Sequence, residues 1–136
     1  MKKWMLLICT ALILVLAACG KTDSATDEKA SSKDTSDTII YQSSKGDIEV
    51  PSKPERVVVL SSYAGDLIKL GVNIVGVDSW SMDNPNFKEG LAHAEIVTNE
   101  DLEKILELEP DLIIGLDNVN NADKLKEIAP TVLFTY

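Results

Sequence analysis

Apolar positions along this chain fall into three regimes. From Trp4 to Ala18 they run almost unbroken for 15 residues, directly after Lys2 and Lys3. From Gly20 to Asp37 no large apolar residue occurs. From Thr38 onward they return in short clusters punctuated by Gly, Pro and polar residues. In this third regime, Thr38-Ile39-Ile40-Tyr41 and Asp47-Ile48-Glu49-Val50 flank a Ser-Ser-Lys-Gly turn and predict a hairpin ended by Pro51 and Pro54. Val57-Val58-Val59-Leu60 is a continuous β-branched run, the pattern of a strand covered on both faces. Ser61 or Ser62 is a candidate cap for a helix over Tyr63–Leu70, stopped by Gly71.

The pattern then alternates. Asn73–Val77 predicts a strand, Asp78–Asn86 a polar loop and Phe87–Leu91 a weak helix. Glu95–Val97 predicts a short strand, and Thr98 or Asn99 caps a helix over Glu100–Leu108. That helix is expected to bury Leu102, Ile105 and Leu106 and to pair Glu100 with Lys104. After Pro110 come a strand over Asp111–Gly115, a helix over Ala122–Ala129 and a strand over Thr131–Thr135. Strands alternating with helices predict an α/β domain with a parallel sheet. Ligands of such sheets sit at the carboxyl ends of the strands. Those ends carry Ser61-Ser62-Tyr63, Asp78-Ser79-Trp80-Ser81, Asp117-Asn118 and Tyr136.

The first regime is too short to span a bilayer, which takes roughly 20 apolar residues. It ends in Leu16-Ala17-Ala18-Cys19. A basic start, an apolar core, small residues and then cysteine form a bacterial lipoprotein signal. The expectation is a signal peptide over residues 1–18, cleavage before Cys19 and a lipid on its thiol. The chain would then be anchored to the extracytoplasmic face of the cell membrane. Residues 19–37 form the lipidated cysteine and a flexible tether, which at about 5–6 Å × √n spaces the domain ~20–25 Å from the lipid. Residues 38–136 form one small domain.

Charge and chemistry narrow the function classes. The chain has 13 basic and 22 acidic residues, and losing Lys2 and Lys3 leaves a formal charge near −11. A phosphate-binding surface needs the opposite sign, so nucleic acid is not an expected partner. Removal of the signal takes Cys9 with it, leaving no second thiol for an intramolecular disulfide. His93 is the one histidine, and no HxxxH, CxxC, G-x-S-x-G or glycine-rich phosphate loop occurs. Met82 and His93 as haem ligands lack any supporting pattern. No catalytic machinery, resident cofactor or protein-ligated metal is expected.

From Pro54 to Tyr136 the chain resembles the N-terminal lobe of the iron-siderophore and cobalamin family of ABC-importer binding proteins. The resemblance rests on Lys53-Pro54-Glu55-Arg56-Val57-Val58-Val59-Leu60, Leu70-Gly71-Val72 and Val75-Gly76-Val77. It rests most on Asp101-Leu102-Glu103-Lys104-Ile105-Leu106-Glu107-Leu108-Glu109-Pro110-Asp111-Leu112-Ile113-Ile114. Tyr63-Ala64-Gly65 is similar to a run in Gram-positive ferric hydroxamate-type binders. The resemblance implies a three-layer parallel-sheet lobe of a bilobal periplasmic-binding-protein-like fold, with the linking helix and second lobe absent here. It implies delivery of a ferric siderophore to a permease and its ATPase, with iron arriving already chelated. A truncated product, a surface lipoprotein interaction module, and cobalamin or haem as ligand are the alternative expectations.

The resemblance also implies roles for individual residues. Trp80 aligns with a cleft aromatic, where a flat indole suits an apolar-faced chelate; the structural alternative is that it folds onto its own lobe. Tyr63 and Tyr136 offer hydroxyls to chelate oxygens, and Ser62 and Asn118 are weaker polar candidates. Glu103 aligns with a glutamate that docks to permease arginines. None of the four strand-end loops carries a basic residue, which favours a near-neutral hydroxamate complex over an anionic catecholate.

Overall fold

The computed structural model describes residues 37–43 and 45–135. The expected signal peptide, Cys19, the tether and Tyr136 lie outside the described residues. Two sheets form. The hairpin pairs β1 (Thr38–Ser43) with β2 (Gly46–Pro51) antiparallel, in register from Thr38 opposite Pro51 to Ser43 opposite Gly46. Gly46 carries the positive φ of +114° that the tight turn requires. Pro51 closes the ladder rather than standing outside it, as an edge position permits.

The second sheet contains β3 (Val57–Val59), β4 (Ile74–Val77), β5 (Glu95–Ile96), β6 (Leu112–Leu116) and β7 (Thr131–Phe134). Its order is β5-β4-β3-β6-β7 and every pairing is parallel. The helices among the described residues are α1 (Ala64–Lys69), α2 (Ser79–Met82), α3 (Leu102–Glu107) and α4 (Ala122–Ile128).

Alternation along the buried strands divides the core between two faces. Val57, Val59, Leu112 and Ile114 join Ala64, Leu91 and Val132 on one face, against Tyr41, Ile48, Leu67, Ile68 and Phe87. Val58 and Ile113 join Val97, Ile105, Leu125 and Ala129 on the other, against Leu102, Leu108 and Ile128. One face is thus covered by the hairpin, α1 and the 84–94 segment, and the other by α3 and α4. This three-layer arrangement is why the central strands are continuously apolar.

Close approach explains three glycines. A Cβ on Gly65 would lie 2.7 Å from Phe87, and one on Gly90 would lie 2.6 Å from Ile68. These contacts interlock α1 with the 84–94 segment, which forms turns rather than the expected weak helix. A Cβ on Gly76 would meet Leu108 at 2.8 Å.

Several local expectations need correction. The N-cap of α1 is Tyr63, with no side-chain cap bond, so neither Ser61 nor Ser62 caps it. Ser61 lies two residues before the cap position, and its hydroxyl is buried without a hydrogen-bond partner. Leu106 is 59% exposed, and Leu108 packs in its place. The helix ends at Glu107, and Glu109 takes a left-handed φ of 45°, which turns the chain under Gly76. Lys104 bonds the Ile96 carbonyl at 2.8 Å and Glu95 at 3.3 Å rather than Glu100. Neither Thr98 nor Asn99 caps the helix: it begins at Leu102 with Asp101 as N-cap and no side-chain cap bond, while Thr98 closes the turn before it, its hydroxyl accepting from Glu100 N at 3.3 Å and its own N and Oγ1 donating to Asp101 at 2.9 Å and 2.8 Å.

Candidate functional site at the carboxyl edge of the sheet

The amino edge of the sheet is occupied by structural bonds. Asp111 accepts from the backbone N–H of Glu55 at 2.6 Å and of Arg56 at 3.0 Å. Arg56 donates to the Leu108 carbonyl through Nε at 2.9 Å and Nη2 at 2.6 Å, and to Glu109 O at 3.2 Å. Asn73 adds a bond to Glu55 O at 2.7 Å. The Glu-Arg and Pro-Asp motifs therefore lock β3, β6 and the end of α3 together, away from any ligand edge.

The opposite edge gathers the candidate residues. β4, β3 and β6 are neighbours, so the segments leaving them stand in a row at about 4.8 Å per strand. Trp80 follows β4, Ser62 and Tyr63 follow β3, and Asn118 follows β6. Trp80 is not in a loop but on the helical turn α2. Asp78 caps that turn, accepting from Ser81 N at 2.8 Å and Ser81 Oγ at 2.7 Å. Ser81 is fully buried while Trp80 is 67% exposed. The buried cap fixes the turn and leaves the indole outward. The Asp-x-x-Ser spacing was the available signal for this cap, masked by the polar composition around it.

Tyr63 is half-buried and its ring packs against Phe134, centroids 5.2 Å apart at 57°. Phe134 in turn meets Tyr41 of the hairpin edge-to-face at 6.3 Å. Tyr63 thus belongs partly to the core. Ser62 and Asn118 are exposed.

Beside Asn118, Asp117 accepts from Thr135 Oγ1 at 2.7 Å and pairs with Lys45 at 3.5 Å. The Thr135 hydrogen bond, chiefly, holds the Asp117 carboxyl below the usual carboxylate range; burial opposes this and Lys45 adds to it. Thr135 and Lys45 were not singled out by the sequence, because one ends a strand and the other tips a hairpin far along the chain. On the outer face, Glu103 is exposed on α3, in a groove lined also by Glu100, Asp101, Leu102, Lys104 and Glu107. No group of three or more acidic, histidine or cysteine side chains arranged to hold a metal occurs among the described residues.

A family model described as periplasmic binding protein matches residues 57–136. The iron(3+)-hydroxamate-binding protein YxeB of Bacillus subtilis (strain 168) is 40% identical over 139 residues, covering 100% of this chain and 43% of that protein. The probable siderophore-binding lipoprotein YfiY of the same organism is 34% identical over 137 residues, covering 94% and 42%. Among solved structures, the FhuD protein from S. pseudintermedius is similar at a TM-score of 0.62 with 40% identity, over 71% of this chain and 36% of that one. The chain spans about two fifths of the length of the curated relatives it matches. With more than half of its residues matched by that model, and its sheet matching that of the solved relative, the chain belongs to the periplasmic binding protein family.

Proposed function

We propose that this chain forms the N-terminal lobe of an extracytoplasmic binding protein for a ferric siderophore of the hydroxamate class. The carrying observation is the exposed indole of Trp80, presented at the carboxyl edge by the Asp78–Ser81 cap. A large aromatic face held outward on a buried cap suits a bulky, apolar-faced chelate. Tyr63, Ser62, Asn118 and Tyr136 supply hydroxyl and amide groups to the chelate oxygens. Lys45, which reaches this edge, is paired with Asp117, so it offers little to a highly anionic complex. The names of YxeB and YfiY support the siderophore class.

The lobe would be held at the membrane by a lipid on Cys19, after cleavage of the signal at residue 18. It would present its cargo to an ABC permease and its ATPase through Glu103, whose carboxylate suits bidentate pairing with arginine. The lobe works in binding and delivery and not in catalysis.

The test is equilibrium binding of ferrioxamine B by the chain and by Trp80→Ala, with thermal melts of both. Truncation of the indole should weaken binding about tenfold, on the scale of losing a stacked aromatic contact and its buried area. The melting midpoint should stay nearly unchanged, because the side chain is exposed. Equal affinity in the two proteins, or a loss of affinity matched by a loss of stability, would count against the reading.

A further inference from the structure

We infer that the β1–β2 hairpin is a positioning element for the carboxyl edge, holding the ends of β6 and β7 and the Tyr63 ring in the arrangement a ligand would meet. The inference rests on the ligand-edge reading above. The hairpin lies outside the residues matched by the family model, yet two separate lines of contact run from it to that edge.

The first line starts at the hairpin tip. Lys45 Nζ lies 3.5 Å from Asp117 Oδ2, and Thr135 Oγ1 donates to the same oxygen at 2.7 Å. The Asp117 N–H donates to Phe134 O at 3.0 Å. One carboxylate thus ties together the hairpin tip, the residue after β6 and the residue after β7. It directly precedes Asn118. The second line starts mid-strand. Tyr41 meets Phe134 edge-to-face, and Phe134 packs on Tyr63. The last residue of β7 therefore contacts two aromatic rings, one from the hairpin and one from the candidate site.

Core burial accounts for only part of the hairpin. Val50, Tyr41 and Ile48 enter the core, while Ile39 and Ile40 stay exposed. A carboxylate at a partly desolvated strand end is costly without partners. Lys45 and Thr135 supply them, and the polar latch then fixes geometry that the apolar contacts alone leave free to slide.

The test uses the full chain carrying Trp4→Phe, which leaves Trp80 as the one tryptophan. In this background Lys45→Met, Asp117→Asn and Lys45→Arg are compared. Lys45 is largely exposed, so its replacement leaves folding intact. Amide hydrogen exchange at residues 118–120 should rise about tenfold in Lys45→Met and Asp117→Asn, as expected for local opening without global unfolding. Affinity for ferrioxamine B, read by Trp80 quenching, should fall about fivefold, in keeping with the loss of one charge-assisted contact. Lys45→Arg should restore both. Unchanged exchange in the folded variants would overturn the inference. Raised exchange with unchanged affinity would overturn it too, by making the hairpin a purely structural brace. A parent chain that fails to bind ferrioxamine B, while exchange still responds, would sink the ligand reading and leave the latch standing.

Discussion

Among the described residues, two aspartates are held in their charged form by hydrogen bonds. Asp101 is held below the ordinary carboxylate range by the Thr98 hydroxyl first and the Thr98 backbone N–H second, and Asp117 by the Thr135 hydroxyl. A carboxyl whose folded pKa is depressed contributes stability that is present above its unfolded pKa, near 4. That contribution disappears as pH falls through the folded value. The melting midpoint should therefore drop between about pH 5 and pH 2. Thermal melts across that range should show a shallower drop in Asp101→Asn and in Asp117→Asn. A parallel profile for wild type and both variants would contradict the assignment. Trp80 belongs to the same scale: its residue type and setting were visible in the sequence, while its presentation depends on Asp78 and Ser81, two polar residues that read as loop.

At the scale of elements, the most distinctive segment of the sequence is structural. Asp111 precedes β6, Arg56 precedes β3, and together they bind the backbone of segment 55–56 and the carbonyls ending α3. Asp111→Ala would leave two N–H groups without their acceptor, at a cost of about 1–3 kcal/mol. Urea unfolding should report that loss, while the folded variant keeps its affinity for ferrioxamine B. A loss of affinity at unchanged stability would move this motif into the binding machinery.

The strands were legible because Val57–Leu60 and Leu112–Ile114 are apolar without alternation, which only a doubly covered strand explains. The helix phases were less so. A helix of six residues cannot fix its own face by periodicity, and the C-cap residue Leu108 packs against the core in place of Leu106 because Gly76 leaves room for it. Lys104 likewise finds Glu95 across the fold before Glu100 along it. The order of strands at the carboxyl edge, which brings the segments after β4, β3 and β6 side by side, follows from topology and is not written in any local pattern.

Taken together, the described residues form a parallel-sheet lobe with the candidate site on one edge and the acidic helix α3 on an outer face. The chain spans about two fifths of its curated relatives, one of which is named as a lipoprotein. If Cys19 carries the lipid, Cys19→Ser in a bacterial host should shift the chain from the membrane to the soluble fraction and abolish palmitate labelling. Retention in the membrane fraction would point to the apolar run from Trp4 to Ala18 as the anchor instead.

In the proposed function, the carboxyl edge receives a ferric hydroxamate against Trp80. The most direct measurement is Trp80 fluorescence in the Trp4→Phe chain, titrated with ferrioxamine B, a ferric catecholate, haem and cobalamin under inner-filter control. Saturable quenching by ferrioxamine B at concentrations where the others give none is the predicted result. Quenching by haem or cobalamin alone, or none that saturates, would overturn a hydroxamate site at Trp80.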